Sequence, residues 1–393
     1  MAALDDAADE RPALRIGCVA DVQWADADDG WNYDRTNRRR YRGALAMLER
    51  AVAYWNRERC AFVAQLGDLI DGQNARSGAS ARALDAALSA LARCETTAAL
   101  DGVGVGGVVH LIGNHELYNF DRAELAARLH TAPEPGRVEY YSFAPAPGWR
   151  VLVLDPYQDA VIGWPDESAR GAAARAFLSA QNPNIASGGD WTAGLRGDAR
   201  RFVPYNGGFG AEQIAWLRSA LERARADGER ALVLSHVVLH PRACDGSTMA
   251  WDCDAALGVL GEPSLSGVVV AVLCGHDHKA GYARDAATGI HHLTFQSPLN
   301  RGDDGACFGV VDVYEECLEL RGPALEDWLP ASLVDGRGGG TPRVVLPFVS
   351  RGGCAANEPA TQPSPPRGEP PEEQMSGDPF GCSSDRNFPR FKF

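Results

Sequence analysis

The strongest constraint on the fold is a series of five short apolar runs, each of which ends in Asp, Asn or His. The runs are LRIGCVAD (ending at Asp21), CAFVAQLGD (Asp68), GVVHLIGNH (Asn114 and His115), RALVLSH (His236) and GVVVAVLCGHDH (His276 and His278). Near-continuous apolar character is typical of strands that are covered on both faces. Because ligands bind beyond the carboxyl ends of strands in open α/β sheets, we expect these side chains to converge.

Each of these signals is weak when it is taken alone. An Asp after a strand is more often a turn or helix-cap residue, and a lone His at a strand end is more often structural than ligating. Five such endings in one chain, including a His-x-His directly after Gly275, are much harder to explain by turns and caps. We therefore interpret the set as one functional site.

The residue types in this set indicate divalent metal ions. Two carboxylates, the amides of Asn114 and Gln23 and three imidazoles form a mixed oxygen and nitrogen donor set, which suits Mn²⁺, Fe²⁺, Mg²⁺ or Zn²⁺. Seven ligands are too many for one tetrahedral ion, but with one shared carboxylate they give four to each of two ions. Two ions about 3.5–4 Å apart can clamp a phosphoryl group and lower the pKa of a bound water.

Composition excludes several other classes of protein. Hydrophobic residues make up 45% and charged residues 23% of the 393 residues, as in ordinary globular proteins. A formal net charge of −14 argues against a nucleic-acid partner, and no apolar run is long enough to span a membrane. The N-terminus lacks a signal-peptide pattern and the cysteines form no CxxC, so we expect a cytoplasmic monomer with reduced thiols.

Sequence patterns divide the chain into three parts. Residues 1–13 are expected to be flexible, and residues 14–330 alternate apolar and amphipathic stretches that should form one domain. Residues 331–393 hold ten of the 24 prolines, so we expect a mostly disordered tail, apart from the apolar segment 343–349, which could dock on the domain. The segment 156–208 lies between two strand candidates, and loops of that length are usually functional or disordered.

The ordered motifs resemble those of the calcineurin-like metallophosphoesterase superfamily. The elements that carry the resemblance are Asp-x-Gln at 21–23, GDLID, GNHE, a lone His and GHDH. More narrowly, DVQWAD, QLGDLIDG, GNHELYNF, YNGGFG, LSHVVLHP, CGHDHKAGY and HHLTF are similar to motifs of the Mn²⁺-dependent ADP-ribose/CDP-alcohol diphosphatases. The resemblance covers roughly residues 14–320. It implies an α/β fold, a four-layer αββα sandwich of two mixed sheets.

The resemblance also implies cofactors and a role for each motif residue. The cofactors are two divalent cations, with Mn²⁺ favoured and Mg²⁺ as the alternative. Asp68 would bridge the two ions. The remaining ligands would be Asp21, Gln23 and His278 for the first ion, and Asn114, His236 and His276 for the second. The catalytic residue would be His115, which would stabilise the phosphoryl charge or protonate the leaving oxygen.

Gln23 is the least usual residue in this set. Most members of the superfamily have His where Gln23 stands, whereas the narrower group is similar to this chain in having Gln. An amide oxygen is neutral and harder than imidazole, so it should favour Mn²⁺ or Mg²⁺ at the first ion position. We therefore interpret Gln23 as a metal ligand rather than as a replacement that no longer binds the metal.

The implied reaction is Mn²⁺-dependent hydrolysis of the diphosphate bond in nucleoside-diphosphate-linked compounds, by a hydroxide that the two metals activate. ADP-ribose would give AMP and ribose 5-phosphate, and CDP-choline or CDP-glycerol would give CMP and the phospho-alcohol. The alternatives are a phosphodiesterase for cyclic nucleotides, a phosphomonoesterase of the same superfamily and, more remotely, a non-catalytic protein-binding scaffold. The partner we expect is the small-molecule substrate, and the sequence does not identify the residues that bind it.

Three neighbouring features leave alternatives open. Asp71 and Glu116 either orient ligands or are solvated turn residues. His240 is the rival of His236, but it lies four residues further along, past the expected strand end. The GVGVGG at 102–107 precedes a strand rather than following one into a helix, so we interpret it as a loop.

Overall fold

The structure is a computed structural model that describes residues 11–32, 35–100, 103–129, 140–187, 190–301, 306–325, 329, 333–334 and 341–349. Most of the N-terminal segment 1–13 and most of the tail 331–393, both expected to be flexible, lie outside these residues. Among the described residues, no helix is long and apolar enough to cross a membrane.

Two six-stranded mixed sheets and one small hairpin contain the strands of the described chain. The strands of the first sheet, in spatial order, are β14 (Arg343–Pro347), β13 (Cys317–Arg321), β12 (Phe308–Val313), β1 (Leu14–Val19), β4 (Phe62–Gln65) and β5 (Val108–His110). The strands of the second are β10 (Gly281–Arg284), β11 (His291–Thr294), β9 (Val269–Cys274), β8 (Arg230–Ser235), β7 (Trp149–Val153) and β6 (Tyr141–Ala146). The hairpin pairs β2 (Gly30–Trp31) with β3 (Arg38–Arg39).

Helices cover the outer faces of the sheets and fill the connections. The α-helices are α1 (Gly43–Glu58), α2 (Gln73–Arg76), α3 (Ser80–Leu91), α4 (Asn114–Asn119), α5 (Arg122–Leu129), α6 (Ala169–Gln181), α7 (Gly210–Ala226) and α8 (Cys253–Leu260). Short 3₁₀ helices span Pro183–Ser187, Gly197–Arg201, Pro241–Ala243, Gly246–Thr248, Pro263–Leu265 and Pro298–Asn300. The long segment 156–208 therefore contains α6 and two of these 3₁₀ helices.

Strand alternation separates a core between the sheets from the cores under the helices. In β1, Ile16 and Cys18 belong to the cluster shared with the second sheet, whereas Val19 packs with the helix layer. In β8, Leu232 faces the opposing sheet and Val233 faces the helices. Because successive side chains of a strand point to opposite faces, a sheet buried on both faces reads as a continuous apolar run. The four-layer αββα sandwich expected from the motifs is confirmed.

Helix α1 shows how one amphipathic segment is seated on the first sheet. Its buried face includes Met47, Leu48, Val52 and Trp55. The Trp55 ring lies directly over β1, where a Cβ on Gly17 would be only 2.7 Å from it. Its Nε1–H also donates to the carbonyl of Gly309 in β12 at 3.0 Å. Glycine at position 17 therefore allows the indole to approach the backbone.

Strand direction brings the strand endings of both sheets to one edge of the sandwich. Strands β1, β4 and β5 run parallel in the first sheet, and β7, β8, β9 and β11 run parallel in the second. The backbone N–H of His276, after β9, donates to Asp21 Oδ2, after β1, at 2.8 Å. The carboxyl ends of the two parallel groups therefore meet.

Strand β14 lies beyond residue 330, where the sequence pattern placed the end of the domain, and it belongs to the segment 343–349 expected to dock. It pairs antiparallel with β13 and buries Val344 and Leu346. The chain then reaches the second sheet, where Phe348 packs against Trp149 with ring centroids 6.1 Å apart. The first sheet thus takes its edge strand from the region that follows the domain boundary drawn from composition.

We expect Val344→Ala to lower the free energy of unfolding by about 2 kcal/mol, because it removes two buried methyl groups and leaves a cavity. Val345→Ala is the matched control, since Val344 is 1% exposed and Val345 is 39% exposed. The control should change the stability by less than about 0.5 kcal/mol beyond any loss of strand propensity. Urea denaturation of both variants measures the difference, and equal midpoints would show that β14 is not packed on the sheet in solution.

Candidate metal centre

The structure brings together all seven residues that the sequence pattern selected. Two groups of side chains each offer three ligand atoms, and within each group these atoms lie within 4.8 Å of one another. The first group is Asp21, Asp68 and His278, and the second is Asp68, His236 and His276. Gln23 and Asn114 complete the arrangement, one beside each group. Asp68 belongs to both groups, which is the position expected of a bridging carboxylate.

Four of these residues have left-handed backbone conformations. The φ angles are 53° at Asp21, 46° at Gln23, 57° at Asp68 and 68° at His276. For a residue with a side chain this conformation costs about 1–2 kcal/mol, so it persists only where the surroundings enforce it. Such turns redirect the chain sharply after a strand and let side chains two residues apart point into one centre. The strain is concentrated at the strand ends that form the site.

Glycines before three of the candidate ligands allow the strand ends to approach one another. A Cβ on Gly113 would overlap Asp68 Oδ1, and a Cβ on Gly67 would overlap the His236 ring. A Cβ on Gly275 would be 2.6 Å from Asp21 Oδ2. Each glycine therefore clears space for a ligand that comes from a different strand. The recurring Gly before Asp68, Asn114 and His276 was a sequence signal for this close packing.

Glu116 holds the loop that carries Asp68. Its two oxygens accept backbone N–H groups from Asp68 at 2.8 Å, Leu69 at 2.7 Å and Ile70 at 3.4 Å, and from Gly113 at 2.8 Å. Burial, followed by the nearby Asp68 carboxylate, raises the pKa of Glu116 to about 7, whereas the N–H donors favour the charged form. Glu116 is therefore a residue that orients a ligand rather than a solvated turn residue, the other alternative that the sequence left open.

The histidines next to Asp68 differ in their preferred protonation. Burial alone would lower the pKa of His236, but the Asp68 carboxylate, 3.4 Å from Nε2, outweighs it and raises that pKa to about 9. Burial and the neighbouring His236 hold the pKa of His276 well below its usual range. Burial alone would raise the pKa of Asp68, but the imidazoles of His236 and His115 hold it well below its usual range.

The donor atoms fit divalent cations, because several acceptors face each other. Asp21 Oδ1 and Gln23 Oε1 are buried and have no hydrogen-bond partner in the described part of the chain. Asp21 Oδ1 also lies 3.5 Å from His278 Nε2. Gln23 Nε2 lies 2.9 Å from the same nitrogen and donates to Asp68 Oδ2 at 3.0 Å, so a flip of this amide would direct Oε1 at the centre. Buried polar atoms without partners are costly, and a cation among them would satisfy them together. The mixed oxygen and nitrogen donors suit Mn²⁺, Mg²⁺, Fe²⁺ or Zn²⁺.

Asn114 is held at the centre by two tyrosines. The Tyr157 hydroxyl donates to Asn114 Oδ1 at 3.3 Å, and Asn114 Nδ2 donates to the Tyr118 hydroxyl at 3.3 Å. Asn114 Oδ1 also lies 3.4 Å from His236 Nε2. No pattern in the sequence selects Tyr157, because this residue follows β7 rather than any of the five motifs.

His115 lies at the mouth of the centre rather than inside it. Its Nδ1 accepts the backbone N–H of Gly72 at 2.9 Å and lies 3.2 Å from Asp71 Oδ2, while Nε2 is 3.9 Å from Asp68 Oδ2. Burial alone would lower the pKa of His115, but the carboxylates of Asp68 and Asp71 raise it. Because Nδ1 accepts the Gly72 N–H, a neutral ring carries its proton on Nε2, which can act as a proton donor.

A cleft of about 300 Å³ opens above the centre. Its lining combines the centre with cationic, aromatic and amide side chains that come from the hairpin, from the segment 156–208 and from the loops after β8 and β9. They include Arg39, Arg200, Lys279, Trp191, Tyr205, Asn32, Asn37 and Asn300. The lining also includes the carboxylates of Asp190, Asp245 and Asp277, and Arg200 pairs with Asp245 at 3.0 Å. The cleft therefore offers charges of both signs and flat apolar surface beside the metal-binding groups.

His240, the rival of His236, lies outside the centre. Its Nε2 is 3.5 Å from Asp285 Oδ2, and its ring packs against His292 with centroids 4.7 Å apart. The GVGVGG stretch, as far as it is described, forms a turn that leads into β5, so its interpretation as a loop holds for residues 103–107.

Known proteins are similar to this chain in both sequence and fold. The family model for calcineurin-like phosphoesterase matches residues 14–280. A Danio rerio protein named manganese-dependent ADP-ribose/CDP-alcohol diphosphatase is 36% identical over 326 residues, which cover 80% of this chain and 96% of the relative. An Arabidopsis thaliana protein of the same name is 36% identical over 79% of this chain and 94% of its own length. The crystal structure of a dimetal phosphatase from Danio rerio superimposes with a TM-score of 0.74 at 33% identity, covering 86% of this chain and all of that one.

We expect Gly113→Ala to weaken Mn²⁺ binding by a factor of about 10–100, the range seen when the support of a metal ligand is disturbed. The added methyl group would overlap Asp68 Oδ1 and come within 2.6 Å of the Asp68 backbone nitrogen. Gly258→Ala in α8 is the control, because nothing lies within 4 Å of its added Cβ. Metal content after equilibrium dialysis measures both. Equal Mn²⁺ retention in the two variants would contradict the close approach.

We expect Gln23→Ala to raise the Mn²⁺ concentration for half-saturation by about an order of magnitude, or about 1.4 kcal/mol. Gln23→His should instead tighten binding and shift the preference towards Zn²⁺ or Fe²⁺, because imidazole is the softer donor. Gln158→Ala is the matched control, since this buried amide bonds to Asp155. Calorimetric titration with each ion compares the variants. Curves that superimpose on the wild type would remove Gln23 from the centre.

Proposed function

Because the chain belongs to the calcineurin-like phosphoesterase family, we propose that it is a Mn²⁺-dependent diphosphatase that hydrolyses nucleoside-diphosphate-linked compounds. The observation that carries the proposal is the Asp68 carboxylate, which is shared by two groups of metal-binding side chains. Relatives at 31–36% identity with the same diphosphatase name, across animals and plants, support the substrate class. ADP-ribose would give AMP and ribose 5-phosphate, and CDP-alcohols would give CMP and the phospho-alcohol.

The proposed ligands follow the two groups of donor atoms. Asp68 bridges the ions, and the remaining ligands are Asp21, Gln23 and His278 for the first ion and Asn114, His236 and His276 for the second. When bound, the two cations would polarise a phosphoryl oxygen and lower the pKa of the attacking water. Asp68 carries the negative charge that keeps two cations close, and its well-lowered pKa keeps it ionised at neutral pH.

His115 supplies the protein's own contribution to the chemical step. The Gly72 N–H and the Asp71 carboxylate fix its Nδ1 side, so that Nε2 faces the cleft. From that position Nε2–H donates a hydrogen bond to a phosphoryl oxygen or passes its proton to the leaving phosphate oxygen. Because Nδ1 accepts the Gly72 N–H, the neutral ring carries its proton on Nε2, as such a role requires.

The cleft offers complementary groups for a nucleoside diphosphate. With the two cations bound, they and the Arg39 and Lys279 side chains of the cleft lining would supply the positive charge that draws in a diphosphate. Trp191 and Tyr205 supply aromatic faces, with ring centroids 6.3 Å apart, on which a base can stack. These features favour a diphosphate that carries a nucleoside over inorganic diphosphate.

Turnover of four substrates with Mn²⁺ tests the proposal. ADP-ribose and CDP-choline should be hydrolysed to the stated products, whereas a cyclic nucleotide and a phosphomonoester should react much more slowly. The Asp68→Ala variant is the control for metal dependence, because without the shared carboxylate the two cations repel each other and activity should be lost.

Each other result of this screen assigns a different function. Preferred hydrolysis of the cyclic nucleotide would make the protein a phosphodiesterase, and preferred hydrolysis of the monoester would make it a phosphomonoesterase. A wild-type protein that binds Mn²⁺ but hydrolyses none of the four would be a non-catalytic scaffold. Activity that survives in Asp68→Ala would contradict the assignment of the bridging ligand.

A further inference from the structure

Asn206 is a fully buried amide that touches the metal centre from the long segment 156–208. Its Oδ1 lies 2.7 Å from His276 Nε2. Its Nδ2 donates to the backbone carbonyl of Arg201 at 2.8 Å and to that of Ser247 at 2.9 Å. Both N–H groups of this amide therefore donate to backbone carbonyls, and its oxygen contacts His276.

The two carbonyl contacts determine which way the amide points. Carbonyl oxygens only accept hydrogen bonds, so the atom that faces Arg201 and Ser247 must be the nitrogen of the amide. The oxygen of Asn206 therefore faces His276, and it too can only accept. A neutral His276 must consequently carry its proton on Nε2, because the other tautomer would set two acceptors against each other at 2.7 Å.

This tautomer leaves the lone pair of His276 Nδ1 directed at the centre, 3.2 Å from His236 Nε2. His236 is fixed by the same logic, because its Nδ1 lies 2.8 Å from the carbonyl oxygen of Leu66 and must donate to it. His276 Nδ1 and His236 Nε2 thus face each other beside Asp68. Backbone fixes the tautomer of one histidine, and a side chain fixes the other, so only the second can be altered by substitution.

We propose that Asn206 is a positioning residue that holds His276 in the Nε2–H tautomer and thereby presents Nδ1 to the second metal ion. This inference rests on the proposed metal centre. Outer hydrogen-bond partners of metal-binding histidines fix both ring orientation and tautomer, which is the role that Asn206 has here. The same amide joins two segments of the cleft wall. It donates to the carbonyls of Arg201 and Ser247, and the cleft is lined by Ser247 and by Arg200, the neighbour of Arg201. The wall and the ligand are therefore held by one residue.

Three variants separate this role from general support of the loop. Asn206→Leu keeps the approximate volume and removes the acceptor. Asn206→Asp keeps an acceptor towards His276 but sets its second oxygen against the carbonyls of Arg201 and Ser247, so it should cost stability while keeping the tautomer. Asn182→Leu is the matched control: Asn182 is also a buried amide of this segment whose Nδ2 donates to two carbonyls, those of Trp191 and Phe202, but its Oδ1 accepts a backbone N–H. Mn²⁺ binding to the full-length, metal-free protein is followed by the EPR signal of the free ion.

We expect the wild type and Asn206→Asp to bind two Mn²⁺ ions with similar affinity. Asn206→Leu should lose about 10–100-fold in affinity for one ion and keep the other, and Asn182→Leu should bind both ions as the wild type does. In ¹⁵N-histidine NMR spectra of the metal-free protein, His276, identified by the spectrum of His276→Gln, should be the Nε2–H tautomer in the wild type and in Asn206→Asp. It should lose that single tautomer in Asn206→Leu.

Failure of the inference is distinct from failure of the metal centre. A wild type that binds no Mn²⁺ would overturn the centre itself. A wild type that binds two ions with His276 as the Nδ1–H tautomer would overturn the role of Asn206 alone. So would an Asn206→Leu variant with unchanged affinity, or an Asn182→Leu variant that loses as much. If Asn206→Leu does not fold, the wild-type tautomer and the Asn206→Asp titration still decide.

Discussion

The close contact between the turn after β4 and the turn after β5 is the interaction on which the centre depends. Asp68 sits in a left-handed conformation, and Gly113 approaches so closely that any side chain there would overlap the Asp68 carboxylate. Glu116 holds both turns by accepting N–H groups from Asp68 and from Gly113 with one oxygen. A single buried carboxylate therefore offsets the backbone strain at Asp68, which belongs to both groups of candidate ligands.

The site also couples the two halves of the sandwich. Asp21 and Asp68 come from the first sheet, whereas His236 and His276 come from the second, so the donor set is complete only when the sheets are packed together. Cations that bind only the packed form would stabilise it by mass action. The segment 156–208 adds a third element, because Asn206 joins the cleft wall to His276. The candidate ligands, the packing of the two sheets and the cleft wall are thus linked through direct hydrogen bonds.

Much of the fold and of the candidate site could be predicted from sequence, because both depend on strand endings. Parallel strands place their carboxyl ends at one edge, so polar residues after apolar runs are brought together whatever their separation in the chain. The same pattern also occurs at a residue that is not a candidate ligand. Asp155 follows β7, but it pairs with Arg122 at 2.9 Å and caps its own turn through the Tyr157 N–H. A strand ending alone does not make a ligand, and the motif context was needed to leave Asp155 out.

The sequence by itself determined the strands, their polar endings and the chemistry of the donors, because periodicity and residue type are properties of short stretches of chain. Only the tertiary structure decided which atoms meet. Glu116 bonds to backbone groups about 46 to 48 residues away, and Asn206 reaches a histidine 70 residues away. It also decided that Val344 and Leu346 close the edge of the first sheet in a region of tail-like composition. Contacts of this kind depend on how distant segments pack, and no local pattern in the sequence encodes them.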